Sequence, residues 1–224
     1  QGVLAVETEQ VFRTPVKQTG QVSSEITYTP EQQQVISRFR QDYEQGIRQT
    51  YLIHGVTGSG KTEVYMEMIR TIVEQGKQAI VLIPEIALTY QTVMRFYRRF
   101  GDRVSIMNSR LSAGERYDQM MRAKAGQVDV MIGPRSALFT PFPNLGLIVI
   151  DEEHEPTYKS EQTPRYHARE TAIRRAEMED ASVVLGSATP SMEGMYRGRR
   201  GVYVLFEMKN RSRMQLMARV YTVV

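Results

Sequence analysis

Apolar residues gather in short continuous runs from Tyr51 onward, and between most of these runs they recur at helical spacing instead. Runs of strand length cover 51–54, 79–83, 104–107, 129–132, 147–150, 182–186 and 202–206. Helical patterns cover 61–75, 87–100, 112–125 and 167–179. This alternation predicts an α/β fold, a mostly parallel sheet with helices on both faces. Right-handed crossovers bring the loops that follow the strands to one edge, where ligands bind. Upstream, Thr29-Pro30-Glu31-Gln32 reads as a helix start: a capping hydroxyl, proline at the first position, then a carboxylate. Val35, Ile36 and Phe39 give that helix its apolar stripe.

Outside this unit the pattern weakens. Residues 1–28, punctuated by Pro15, Gly20 and Ser23-Ser24, read as a linker and the end of a preceding domain. The compact unit is expected over 29–206, and 207–224 as the start of a connection onward.

The loop after the first strand carries the most specific chemistry. Gly55-Val56-Thr57-Gly58-Ser59-Gly60-Lys61-Thr62 is a complete phosphate-binding loop with a strand before it and a helix after it. Its glycines let backbone N–H groups converge on an anion, and the following helix adds the positive end of its dipole. Gly55, Thr57, Gly58, Ser59 and Gly60 would cradle phosphate. Lys61 would bring charge to the outer phosphates, and Thr62 a hydroxyl to Mg²⁺. The apolar run 145–150 ends abruptly in Asp151-Glu152-Glu153-His154. Carboxylates at the end of a buried strand complete a nucleotide-hydrolysing site, Asp151 for Mg²⁺ and Glu152 to polarise the attacking water. A P-loop NTPase domain is therefore expected, with Lys61, Asp151 and Glu152 as its catalytic residues.

Composition narrows the surroundings. The hydrophobic fraction of 41% suffices for a real core, yet no apolar run is long enough to span a membrane. No charged-then-apolar segment opens the chain, so a cytoplasmic protein is expected. The chain has no cysteine, which excludes a thiolate zinc site within it. His54, His154 and His167 are not spaced as metal ligands. A net charge of +4 leans toward an anionic partner without identifying one. Arg95, Arg98, Arg99 and Arg103 fit a solvated helix face, and Met120, Met121, Met192 and Met195 read as core filler or helix faces.

Three further loops on the same edge are Ile83-Pro84-Glu85-Ile86-Ala87-Leu88-Thr89, Gly133-Pro134-Arg135-Ser136-Ala137 and Gly186-Ser187-Ala188-Thr189-Pro190. In order with the phosphate loop and the acidic turn, they resemble motifs I, Ia, Ib, II and III of superfamily 2 helicases. Thr29-Pro30-Glu31-Gln32 is similar to the Q motif, which makes Gln32 the expected reader of adenine. Pro84–Thr89, 135–142, Asp151-Glu152-Glu153-His154 and Pro164-Arg165-Tyr166-His167-Ala168-Arg169 narrow the resemblance to the primosomal protein N′ family of bacterial replication-restart helicases. It runs from about Arg13 to the end, with Tyr90 standing where proline is expected.

The resemblance implies a RecA-like domain, the first lobe of an ATP-dependent 3′-to-5′ DNA helicase acting on forks and single-stranded DNA, with primosome and single-strand-binding proteins as partners. It implies His154, Ser187 and Thr189 as residues that couple nucleotide state to DNA. DNA contact is expected from Glu85, Ala87, Arg135 and Ser136, with N–H groups of helices opening near Ala87 and Ser136. The polar loop 155–167 interleaves Tyr158, Tyr166 and His167 with Lys159 and Arg165. It would stack on bases, unless its tyrosines pack on the domain instead. The family's N-terminal DNA-binding region, second RecA-like lobe and zinc insertion lie outside this sequence, so zinc is expected only there. A P-loop phosphotransferase for a small molecule and a nucleic-acid binding module that never translocates are the competing readings.

Overall fold

The computed structural model describes residues 27–211, so the expectations for 1–26 and 212–224 lie outside the described residues. The described residues form seven strands and six α-helices, with an α-helix between successive strands except between the fourth and fifth. The strands are β1 (Thr50–Gly55), β2 (Gln78–Leu82), β3 (Val104–Ile106), β4 (Val130–Gly133), β5 (Leu145–Asp151), β6 (Ser182–Ser187) and β7 (Val204–Met208). The helices are α1 (Pro30–Glu44), α2 (Lys61–Glu74), α3 (Tyr90–Phe100), α4 (Ala113–Lys124), α5 (Ala168–Met178) and α6 (Met192–Arg199). The strands form one parallel sheet in the order β3-β4-β2-β5-β6-β1-β7.

The strand period sorts side chains to two cores. Ala79 and Val81 of β2 join Ile53, Val149 and Val184 in a cluster with Phe39 of α1, Ile69 of α2 and Phe96 of α3. Ile80 and Leu82 point the other way, with Leu52, Ile148 and Leu185, against Ala123 of α4 and Ala172 of α5. Helices thus cover both faces, which is why the strands read as uninterrupted apolar runs.

Capping fixes where helices begin. Thr29 and Gln32 form a reciprocal capping box at α1, as do Ser112 and Glu115 at α4. Thr89 caps α3, so that helix starts at Tyr90 rather than at 87, and a three-residue 3-10 turn over Glu85–Ala87 precedes it. The eight-residue helix α6, capped by Ser191, has no counterpart in the sequence reading. Its two glycines interrupt the apolar period, and it pushes the last strand back to Val204–Met208.

Two minor expectations are corrected. Met120 and Met195 do pack on the second cluster, but Met192 is 92% exposed. Of the four arginines read as a solvated face, Arg95, Arg98 and Arg103 are exposed and only Arg99 departs from that reading. Arg95 pairs with Glu63 and Arg103 with Asp129, while the half-buried Arg99 bonds Glu67 at 2.5 Å and Tyr28 at 3.2 Å.

Candidate nucleotide and DNA site

The phosphate loop leaves β1 at Gly55 and enters α2 at Lys61. Gly60, the cap of α2, sits at φ +82°, in the left-handed region where any side chain is strained. The loop is braced from both sides. Val56 N–H donates to the Met208 carbonyl at 3.1 Å, and Gln32 Nε2 donates to the Ser59 carbonyl at 2.9 Å. Thr57, Gly58, Gly60, Lys61 and Thr62 line a cavity of about 560 Å³ together with Asp151 and Glu152. Gly55 and Ser59 are buried and do not line it. Lys61 Nζ donates to the Gly55 carbonyl at 2.7 Å and stands 3.9 Å from Glu152.

Gln32 is not where an adenine reader would be. It is 2% exposed, its Oε1 accepts the Thr29 N–H at 2.9 Å, and its Nε2 is spent on Ser59. The capping box that makes the helix start legible is also what turns this amide inward.

Asp151 ends β5, with β6 between it and the phosphate-loop strand. It lies beside Gly186, where a Cβ would fall 1.5 Å from Tyr65 Oη. Only glycine leaves room for that phenol, which donates to Asp151 Oδ1 at 3.2 Å. Tyr65 escaped the sequence reading because its position on α2 is indistinguishable from a core residue's. Burial, then the neighbouring Glu152 charge, push the Asp151 carboxyl up to about 6, against the pull of Lys61 and Tyr65. Glu152 itself takes φ +48°, an uncommon backbone state for a side-chain-bearing residue.

The sign of the Asp151 shift sets a pH dependence. Its folded value exceeds the unfolded 3.8, so the metal-free folded state binds the extra proton. That stabilisation is full below about pH 3.8 and is lost as pH rises through about 6. Asp151→Asn should therefore remove part of the decline in melting temperature between pH 4 and 7, roughly the span of that titration. Parallel curves for wild type and variant would contradict it.

Thr62 and Asp151 offer oxygen donors to one cavity, and among the described residues no group of three or more His, Cys, Asp or Glu could cage a metal. This donor set fits a cation that keeps water and substrate phosphate as its other ligands, as Mg²⁺ does, and bound there it would neutralise charge on the phosphates.

His154, Ser187 and Thr189 do come together. His154 Nδ1 lies 2.7 Å from Ser187 Oγ and 3.6 Å from Glu152, and Nε2 lies 3.3 Å from Thr189 Oγ1. Ser187 Oγ accepts the Thr189 N–H at 3.0 Å, which leaves its own proton for Nδ1. In this assignment the neutral ring donates from Nε2 to Thr189. A continuous hydrogen-bonded path then joins the acidic turn to the loop after β6.

A second network was not foreseen. Glu153, 1% exposed, accepts from Ser191 N–H at 2.6 Å and from Arg169 Nη1 at 3.1 Å. Arg169, 5% exposed, also donates to Ser191 Oγ at 2.9 Å and to Glu193, and its Nε donates to Glu170 at 3.0 Å. It pins the acidic turn, α5 and the start of α6 to one another. The sequence signal was an acidic triplet with one member more than hydrolysis needs.

The expected DNA contacts are only partly assembled. Glu85, Arg135, Ser136, Tyr158, Lys159 and Tyr166 line one groove of about 780 Å³, and Ala87 and Arg165 lie outside that lining. The motif segments are short 3-10 turns rather than helix openings, and the Ala87 N–H is already spent on the Pro84 carbonyl at 2.8 Å. Glu85 accepts the Ser109 N–H at 3.3 Å, so it positions the loop after β3 rather than meeting a phosphate.

Tyr158 is the main correction. It is 1% exposed, and its hydroxyl donates toward the Leu82 carbonyl at 3.1 Å and the Asp151 carbonyl at 2.7 Å. It presents no face to a base. Tyr166 is only half-buried, packs edge-on against the exposed Phe139, and has the Arg135 guanidinium 5.2 Å from its ring centre. Lys159 and Arg165 are exposed. Tyr158→Phe should lower stability by about 1–2 kcal/mol, the cost of stranding buried carbonyls. Tyr166→Ala should leave folding intact and weaken stimulation of hydrolysis by single-stranded DNA in the full-length protein. The opposite pairing of effects in melting and turnover assays would reverse the two assignments.

The sequence model of the DEAD/DEAH box helicase family matches residues 29–197. The chain is 46% identical over 223 residues to the replication restart protein PriA of Bacillus subtilis, covering 99% of this chain and 28% of that protein. With the protein of the same name from Chlamydia pneumoniae, the figures are 46% over 184 residues, 82% and 25%. The chain thus spans about a quarter of the length of these relatives. Among solved structures it resembles RecG bound to a three-way DNA junction, with a TM-score of 0.62 at 22% identity over 87% of this chain and 25% of that one. The helicase domain of Pyrococcus furiosus Hef gives 0.57 at 18% identity over 81% and 38%.

Proposed function

Because the chain belongs to the DEAD/DEAH box helicase family, we propose that residues 29–206 are the ATP-binding RecA-like first lobe of an ATP-dependent DNA helicase. It moves 3′ to 5′, the polarity that the family resemblance implies, and restarts stalled replication, the role after which its relatives are named. The observation that carries this reading is the hydrogen-bonded path from His154, in the acidic turn beside Glu152, to Ser187 and Thr189, which a simple phosphotransferase would not need.

In this reading Glu152 takes a proton from the water whose oxygen bonds to the terminal phosphorus, while the bond to the bridging oxygen breaks and ADP leaves with that electron pair. Lys61, freed from the Gly55 carbonyl, meets the charge on the transferring phosphoryl group. The groove between Arg135 and Tyr166 holds single-stranded DNA, with stacking on Tyr166. The Glu153–Arg169 network ties α5, the helix that follows that groove's loop, to the acidic turn. The second RecA-like lobe, its charge-stabilising arginine and a zinc insertion belong to the remaining length of the protein. Primosome and single-strand-binding proteins are its partners, and the cytoplasm its compartment.

The test is strand separation by the full-length protein on duplexes carrying either a 3′ or a 5′ single-stranded tail. Unwinding with ATP only from the 3′-tailed substrate is expected. Unwinding from the 5′ tail would reverse the polarity, and none from either would leave a binding module.

A further inference from the structure

Three basic side chains line the phosphate cavity, and two of them are committed. Lys61 donates to the Gly55 carbonyl and lies near Glu152. Arg95 is ion-paired to Glu63 on α2. Arg211 is the third, and among the described residues its guanidinium has no hydrogen-bond or ion-pair partner.

The segment that carries Arg211 is held at two points. Met208, which ends β7, pairs with Gly55 and accepts the Val56 N–H. Asn210 then donates to Glu31 twice, from its backbone N–H at 3.2 Å and from Nδ2 at 2.7 Å. Glu31 stands in the first turn of α1, next to the Gln32 that grips Ser59. One helical turn therefore holds the phosphate loop with one residue and the chain leaving β7 with its neighbour. This lays the Arg211 stem over Gly58, where a Cβ would meet its Cγ and Cδ at 3.9 Å.

We infer that Arg211 is a nucleotide-binding residue, a guanidinium supplied from the segment after β7 to the phosphates of a nucleoside di- or triphosphate. The cavity's three carboxylates, Glu63, Asp151 and Glu152, outnumber Lys61 and Arg95, which leaves no surplus positive charge from those two for an incoming polyphosphate. A guanidinium with no partner among the described residues can match phosphate oxygens two at a time. Binding a nucleotide would then also fix the chain that continues from β7. The inference rests on the cavity being the nucleotide site.

The experiment uses the full-length protein and a fluorescent ADP analogue. Arg211→Ala should weaken binding about tenfold, the usual worth of a charge-assisted hydrogen bond that is partly exposed, and Arg211→Lys should recover part of it. Glu31→Ala, which releases Asn210, should weaken binding by a smaller factor. Because Arg211 is exposed, melting without ADP should not change, while the rise in melting temperature on adding ADP should shrink. Unchanged ADP affinity in a folded Arg211→Ala variant overturns this inference and leaves the nucleotide site standing. Failure of the wild type to bind the analogue overturns both.

Discussion

Glu152→Gln is expected to slow ATP hydrolysis by about 10²- to 10⁴-fold, the usual contribution of a positioned general base, with nucleotide affinity preserved. The amide keeps the size of the carboxylate but cannot accept the proton of the attacking water. Affinity should survive because the loop's phosphate-facing groups do not depend on this side chain. Lys61 is held by the Gly55 carbonyl at 2.7 Å, a closer contact than its 3.9 Å approach to Glu152. Removing the Glu152 charge also removes the second-largest cause of the raised Asp151 value, so that carboxyl should ionise more easily. Single-turnover hydrolysis and ADP binding, measured on the same preparation, separate the two effects. Lost affinity with normal turnover of bound nucleotide would assign Glu152 to binding.

Arg169→Met should destabilise the fold by about 3–5 kcal/mol, because it strands a buried carboxylate. Glu153 is 1% exposed, and without Arg169 its remaining donors would be Ser191 N–H and Oγ. For a domain of this size the loss corresponds to a fall in melting temperature of about 10 °C. Glu153→Gln in the Arg169→Met background should restore part of it, since a neutral amide is cheaper to bury than an unpaired charge. A single variant that melts within a degree or so of wild type, roughly the effect of an ordinary surface change, would show that the pair is structurally idle.

The sheet, the phosphate loop and the acidic turn were legible because each is written locally. Uninterrupted apolar runs mark doubly covered strands, glycine spacing marks the loop, and Asp151-Glu152 marks an abrupt end to a buried strand. What escaped depends on long-range placement. Tyr65 meets Asp151 across 86 positions, and Asn210 meets Glu31 across 179. Nothing in their neighbourhoods announces either contact.

The aromatic loop shows the same limit from the other side. Its composition is right for stacking on bases, yet Tyr158 turns inward because two carbonyls beneath it need a donor. Tyr166, eight positions on, is the one left beside the groove. Gln32 and Arg99 were misread in opposite directions: one was expected to face a ligand and is buried, the other was expected in solvent and closes on Glu67. Residue type fixes what a side chain can do, and packing decides which partner it meets.

Nucleotide hydrolysis at Lys61, Asp151 and Glu152 is expected to be coupled to DNA held along the edge that carries Tyr166. The decisive measurement is steady-state ATP hydrolysis by the full-length protein, titrated with single-stranded DNA. Low turnover without DNA and a saturable rise as DNA is added are expected. Turnover that stays the same from no DNA to saturating DNA would contradict it.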